Sequence, residues 1–278
     1  APWRRRFDGL RDGDADALSR TPGRPRVQHP TAPTLTHDGH MSGLLEVIAL
    51  HAADAERAEA GGADRIELCG TLEDGGMSPE PALVEKVRAA TSVQLRVMLR
   101  LRAGFGTDGG EAVRLRGLIA SYLDAGADGM VLGFLNGLGE VDPQVVTELV
   151  ADGDWPWTFH RAIDSCLYPD RGWAVLRRLP RLDQVLTAGS ARGLEHGLED
   201  VLARARADAW QAGVIMAGGG LHPDHVPWLA RAGVRAFHIG GPARPLGSYK
   251  AYVDPELVGS WRRLIDTEVR HAAGGDER

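Results

Sequence analysis

Cysteine is nearly absent from this chain: its 278 residues hold two, Cys69 and Cys166. Two thiols make no disulfide framework, and the simplest setting is a reducing cytoplasm. Neither Cys-x-x-Cys nor His-x-x-x-His occurs, so spacing alone marks no metal centre. Lysine is almost as scarce. Of 32 basic residues only Lys86 and Lys250 are lysines. Neither falls at the end of an expected strand, which disfavours Schiff-base chemistry, since that needs a desolvated lysine beside the substrate carbonyl. No apolar run reaches membrane-spanning length. The net charge of −6 is spread without long runs, which argues against nucleic acid as the main partner.

The first forty residues also lack something, namely apolar periodicity. Ala1–His40 contains Arg4-Arg5-Arg6, five prolines and many polar residues. Such a stretch buries no core and reads as a disordered N-terminal extension. It has no apolar h-region, so a secretory signal is not expected. Asp8, Asp12, Asp14 and Asp16 break up its positive charge, which disfavours a basic arm. Met41 reads as an original start, with a single domain over residues 41–278.

What the chain has in plenty is one phrase, repeated. Gly62-Ala63-Asp64-Arg65-Ile66-Glu67-Leu68-Cys69 returns as Gly126-Ala127-Asp128-Gly129-Met130-Val131-Leu132-Gly133. It returns again from Gly233 to Gly240, and a looser copy runs from Arg181 to Thr187. Each copy follows helical sequence and leads into an apolar run. A glycine that ends a helix in a left-handed turn, followed by a buried strand, is the joint of a βα unit. Eight strands are expected, at 44–50, 64–69, 94–100, 128–133, 157–161, 182–187, 214–217 and 236–240. Helices fill the gaps, several opening on proline after a capping residue: Ser78-Pro79, Asp142-Pro143, His222-Pro223 and Asp254-Pro255. One long helix is expected from Leu194 to Trp210. Strands alternating with helices imply a parallel sheet. Eight units in about 240 residues imply a (β/α)8 barrel. An open doubly wound sheet would want Gly-x-Gly-x-x-Gly after the first strand, and none is there.

A barrel of this kind carries its chemistry at the carboxyl ends of its strands. The residues expected there are Glu46, Glu67, Cys69, Arg100, Arg102, His160, Arg161, Asp164, Thr187 and His238. Two glycine turns join them, Gly218-Gly219-Gly220 and Gly240-Gly241. Burying so many charges is costly unless they are paired or used. Glu67 is either a general base with a raised pKa or the salt-bridge partner of an arginine. Glu46, nearer its strand's start, reads as a salt-bridge partner of Arg65 or Arg100. His160 is the leading candidate for acid–base work or metal ligation; the alternative is a core imidazole bonded to a carbonyl. Asp164 would orient His160 or Arg161. Arg100, Arg102 and Arg161 suit an anion, and glycine turns after strands seven and eight resemble a phosphate cradle. Cys69 is a soft ligand suited to Cu(I), a catalytic thiol, or a small buried hydrophobe. Cys166 lies across the barrel from it.

At these residues the chain resembles the CutC family of copper homeostasis proteins, over about Leu44 to Arg244. The matching phrases are Leu45-Glu46-Val47, Glu59 to Cys69, Asp74-Gly75-Gly76 and Val97-Met98-Leu99-Arg100. Further on come Gly126-Ala127-Asp128-Gly129, Thr158 to Asp164, Met216 to Gly220 and Phe237-His238. The resemblance implies a cytoplasmic (β/α)8 barrel, usually a homodimer, with Cu(I) held at Cys69. The chain departs from the family at Ile48, often a cysteine there, and at Leu50, Leu101 and Ala188. Losing one of two soft ligands leaves Cys69 alone.

Two functions follow. One is copper binding and homeostasis. The other is a lyase or isomerase acting on a small anionic or phosphorylated metabolite. In the second, His160, Glu67 and Asp164 are catalytic. Arg100, Arg102, Arg161, Gly218, Gly219, Gly220 and His238 then hold the substrate.

Overall fold

The computed structural model describes residues 42–151 and 153–274. The expected extension over residues 1–40 lies outside them. The repeated glycines behave alike. Gly62, Gly126 and Gly233 take φ of 93°, 96° and 96°, a region that costs glycine nothing. In each copy the next amide reaches back to close the helix: Ala63 to Ala58 at 3.0 Å, Ala127 to Tyr122 at 2.9 Å, Val234 to Leu229 at 3.0 Å. The looser copy opens on Arg181, which adopts the left-handed conformation without glycine, at φ 58°. Its guanidinium donates to the Val150 carbonyl, which helps to hold that unfavourable backbone.

The strands that follow are β1 (Leu44–Ala49), β2 (Arg65–Leu68), β3 (Gln94–Met98), β4 (Gly129–Leu132), β5 (Trp157–Phe159), β6 (Leu182–Thr187), β7 (Ile215–Ala217) and β8 (Ala236–Ile239). They pair in sequence order, all parallel, and β8 closes on β1. The helices are α1 (Ala52–Ala60), α2 (Pro81–Ala90), α3 (Gly109–Asp124), α4 (Pro143–Val150), α5 (Pro169–Leu176), α6 (Leu194–Ala207), α7 (Ala209–Val214), α8 (Val226–Arg231) and α9 (Pro255–Gly274). This is a (β/α)8 barrel. Among the described residues no helix is long and apolar enough to cross a membrane.

Local chemistry explains where the elements differ from expectation. The helix expected over Leu194–Trp210 is two, because Asp208 turns extended and caps the second through the amides of Trp210 and Gln211. Asp142 caps α4 ahead of Pro143, as its sequence suggests. Ser78-Pro79 does not start a helix. The Ser78 amide donates to the Arg100 carbonyl at 2.8 Å, and the Ser78 hydroxyl accepts from the Arg100 amide at 2.8 Å. This pairing extends the end of β3, and the helix begins two residues later at Pro81.

Alternation along each strand sorts side chains between two environments. Leu45, Val47, Ile66, Leu68, Val97 and Phe159 point outward and are fully buried beneath the helices. Each such side chain stabilises the fold by roughly 1.5–3 kcal/mol. The inward set is different. Arg65 bonds Glu46 at 2.5 Å and Arg96 pairs with Asp183, while Arg65 also lies 3.9 Å from Asp183. Charges of alternating sign therefore run Glu46, Arg65, Asp183, Arg96 across the lumen. The Glu46–Arg65 pair is one of the two the sequence suggests for Glu46; Asp183 and Arg96, not expected from sequence, carry the charge on across the interior. A register shift between β5 and β6 at Trp157 and Thr158 lets Asp183 join this chain.

Candidate active site

Above the charged layer, at the carboxyl ends of the strands, lies a cavity of about 360 Å³. Its floor is built by the next inward residues. β1 and β8 align Glu46 with His238, and β1 and β2 align Ile48 with Glu67. His238 Nδ1 lies 2.7 Å from Glu46 Oε1, and His238 Nε2 lies 3.6 Å from Glu67 Oε2. All three are buried. Their donor atoms fall within 4.8 Å of one another.

The two carboxylates differ in character. Burial would raise the Glu46 pKa, but Arg65 and His238 outweigh it and hold the group at about 2. Glu46 is therefore ionised and accepts the His238 Nδ1–H. Glu67 has no such support. Burial, with the Glu46 charge, pushes it up to about 7 against the opposing pull of His238 and Arg65. Its Oε1 has no hydrogen-bond partner. Burial works against a proton on His238 too, yet Glu67 and Glu46 raise its pKa. The floor is a histidine–carboxyl pair, 3.6 Å apart, backed by a fixed negative charge.

One wall is formed by Arg100, Phe105 and His160. Arg100 is 5% exposed; its Nε donates to the Gly104 carbonyl at 2.9 Å and its Nη1 to that of Asp74 at 2.5 Å. Its guanidinium stacks 4.8 Å from the Phe105 ring centre. The His160 ring lies 5.4 Å from the same ring. Burial and the Arg100 charge lower its pKa to about 3, so the imidazole is neutral. Gly133 makes room for it, since a Cβ there would lie 2.5 Å from Nδ1.

Arg161, Gly219 and Gly220 also line the cavity. Arg161 bonds Asp164 at 2.8 Å and the Ser190 carbonyl at 3.0 Å. Asp164 also accepts from the Thr187 hydroxyl at 2.5 Å and the Ala188 amide at 3.0 Å. It thus orients Arg161 and makes no bond to His160. Gly219, at φ 79°, lies under the Arg161 guanidinium, which a Cβ would strike at 2.6 Å. Gly218 does not line the cavity. Its amide is used by the Thr187 carbonyl at 3.1 Å, and its missing side chain leaves room for His238.

Arg102 stands apart from the other expected site residues. It is half-exposed and pairs with Asp108 at 3.2 Å and Glu111 at 2.8 Å. The change in direction follows from where β3 ends: after Met98 strict alternation no longer holds, and Arg102 sits in the loop before α3. Cys69 is fully buried beside Met98 and Val131. Burial, then the Glu67 and Glu46 charges, raise its thiol pKa well above the ordinary value. Gly76 closes over both sulfur-bearing side chains, where a Cβ would lie 3.1 Å from Cys69 Sγ and 3.2 Å from Met98 Cε.

Several contributors were not expected from sequence. Phe105 carries both Arg100 and His160. Tyr249 lines the rim, stacked 4.8 Å from Arg244, which is itself paired with Asp54 at 2.9 Å. The bond between Glu46 and His238 spans 192 positions. Aligning β8 against β1 by their inward residues is the signal that finds it.

The CutC family model matches residues 44–242. The chain belongs to the CutC family. A family protein CutC from Xanthomonas axonopodis pv. citri is 37% identical over 234 residues, covering 81% of this chain and 95% of the relative. One from Klebsiella pneumoniae is 34% identical over 197 residues, covering 70% and 78%. Among solved structures, CutC from Streptococcus agalactiae, named there for copper homeostasis, superposes with a TM-score of 0.64. It is 23% identical and covers 71% of this chain and 98% of its own, so that likeness speaks for the CutC fold.

Proposed function

We propose that this CutC protein is an enzyme that moves a proton on a small anionic metabolite, with Glu67 as the acid–base group. The observation that carries the reading is Glu67 itself. It is a buried carboxyl at a cavity floor, with one oxygen unpartnered and a pKa of about 7. A group poised near neutrality can take a proton from a carbon acid and return it. His238 backs it, with Nδ1 fixed by Glu46 and Nε2 turned toward Glu67. Arg100 and Arg161 supply the positive charge that an anionic substrate needs. The absence of lysine from the cavity lining keeps the reading to isomerase or lyase chemistry without a Schiff base. Both cysteines are free, which supports a reducing, cytoplasmic setting.

Copper is the second reading, brought by the name of the Streptococcus relative. Cu(I) prefers thiolate and thioether donors. Cys69 and Met98 supply one of each, but the thiol is buried and resists losing its proton, and Ile48 adds no sulfur. The Glu46, Glu67 and His238 group is hard, and both Glu46 oxygens are occupied by Arg65 and His238. The donors fit Cu(I) poorly.

The deciding experiment follows carbon-bound protons by NMR in D2O over a panel of small carboxylates and phosphorylated carbonyl compounds. Wild type should wash out one α-proton signal, and Glu67→Gln should not. No exchange with any compound, together with tight stoichiometric Cu(I) binding lost in Cys69→Ala, would replace this reading with the copper one.

A further inference from the structure

Four arginines are buried in the barrel: Arg65, Arg96, Arg100 and Arg244. Three have a carboxylate within salt-bridge distance, namely Glu46 for Arg65, Asp183 for Arg96 and Asp54 for Arg244. Arg100 has none. The carboxylate that acts on it is Asp74, on the exposed loop, and it does so only through space. Its hydrogen bonds run to backbone carbonyls, through Nε and Nη1. Among the described residues Nη2 has no hydrogen-bond partner, and Arg100 lines the cavity. A desolvated guanidinium bonded only to neutral oxygens keeps its full charge and lacks a counter-ion.

His160 stands beside it with a matching deficit. Its Nδ1 accepts the Ala162 amide at 3.2 Å. A neutral imidazole that accepts at Nδ1 carries its proton on Nε2. Nε2 is buried and has no partner. Both side chains pack on Phe105, which holds the two unanswered donors against one wall. An unpaired donor in a buried place is costly; His160 Nε2 is one, and both residues line the same cavity.

We infer that Arg100 and His160 form a receptor for a substrate carboxylate, in which His160 is a neutral hydrogen-bond donor and not a proton carrier. The term substrate rests on the acid–base reading given above. The receptor offers one full charge and one neutral N–H. Two oxygens sharing a single negative charge match that pair. A phosphate dianion would want a second cation, and Arg161 is already neutralised by Asp164. The inference also assigns direction: the carboxylate docks on the Phe105 wall, and the carbon to be deprotonated faces Glu67.

The test uses the full chain with 15N-labelled histidine. Long-range proton–nitrogen spectra report the protonation and environment of each His160 nitrogen. Acetate, inorganic phosphate and chloride are titrated at matched ionic strength, with melting curves alongside. Acetate should shift the Nε2 resonance saturably in the millimolar range and raise the melting temperature. Phosphate and chloride should do neither. Arg100→Gln should weaken acetate binding by about tenfold or more, because a charge-assisted bond is lost. His160→Gln, which keeps an N–H donor, should bind better than His160→Phe. The wild-type titration stands even if the Arg100 variant does not fold. A His160 resonance that no anion moves, a proton found on Nδ1, or tighter binding of phosphate than acetate would each overturn the receptor. The Glu67 carboxyl is followed by carbon NMR in the same samples. A normal Glu67 titration would sink the acid–base reading and leave the receptor standing, so the two can fail separately.

Discussion

Glu46 and His238 meet across the seam that closes the barrel, with Oε1 2.7 Å from Nδ1. The bond fixes the histidine's tautomer and aims its other nitrogen at Glu67. Glu46 has a second duty, since Arg65 lies 2.5 Å away and, among the described residues, has only Asp183 as another acid within salt-bridge distance, at 3.9 Å. Glu46→Gln leaves a buried guanidinium short of charge, which costs about 3–5 kcal/mol. It also removes a charge that helps to raise Glu67. Urea unfolding should show the loss in stability, and carbon NMR should show Glu67 titrating lower. An unchanged Glu67 pKa would mean that burial alone sets it.

Glu67 gives stability a pH dependence of definite sign. Its folded pKa, about 7, lies above the ordinary 4.5. The unfolded chain therefore releases this proton first, and the contribution is complete below pH 4.5 and lost as pH rises through 7. The loss is on the order of 3 kcal/mol at most. His238 is also raised, so its contribution likewise falls as pH rises. Glu67→Gln mimics the protonated carboxyl. Its unfolding free energy should exceed that of wild type at pH 8 and vary less between pH 5 and 8. A variant less stable than wild type at pH 8 would contradict a strained carboxylate.

His160 works in the opposite direction. Its folded pKa is about 3 against an ordinary 6.5. Between those values the unfolded chain holds a proton that the folded chain refuses, so stability falls as pH drops from 6.5 toward 3. The full effect is on the order of 5 kcal/mol. His160→Gln cannot charge and should flatten this acid limb in melting curves taken from pH 7 to 4. An equally steep limb in the variant would place the acid sensitivity elsewhere.

The barrel was legible because its joints are written in glycine. Gly62, Gly126 and Gly233 each mark where a helix stops, and only that conformation fits. The Arg181 copy shows the limit of such reading, since a side chain contact there substitutes for glycine. The strand ends were legible by position, which is why Glu67, Arg100, His160 and His238 all reach one cavity. Roles were not, because they depend on partners remote in sequence. Arg102 and Arg100 look alike in the chain, yet one is neutralised by Glu111 and the other, among the described residues, has no acid within salt-bridge distance. Asp164 belongs to Arg161 because the short 3-10 turn after β5 places the two side by side. The charged interior was legible only in part: Glu46 reads as a salt-bridge partner and Arg65 is that partner, but Arg96 and Asp183 join it only once the sheet has closed.

The two arginines of the β3 end should therefore separate cleanly. Arg102→Ala removes an exposed pair with Asp108, typically worth below about 1 kcal/mol, and one partner of Glu111, a buried carboxylate that keeps the bond from the Thr107 hydroxyl. Its melting temperature should fall modestly, and acetate binding should match wild type. A loss of anion binding in Arg102→Ala would show that the loop closes over the cavity in a way its resting contacts do not reveal.

Gly129 ties the charged interior to the backbone. It occupies an inward position on β4, and Arg96 crosses the lumen past it to reach Asp183. A Cβ there would lie 3.1 Å from Arg96 Cδ and would collide with the Pro156 carbonyl on β5's approach. The backbone of a closed sheet cannot yield, and displacing Arg96 would unpair Asp183 as well. Gly129→Ala should cost about 3 kcal/mol or more. Gly117, on the exposed face of α3, meets nothing within 4 Å. The same change there should stabilise by about 0.5–1 kcal/mol, since alanine suits a helix interior better than glycine. Chemical denaturation of both variants gives the comparison. If Gly129→Ala unfolds at the wild-type midpoint, Arg96 has room to spare and the lumen is not packed as tightly as its charge chain requires.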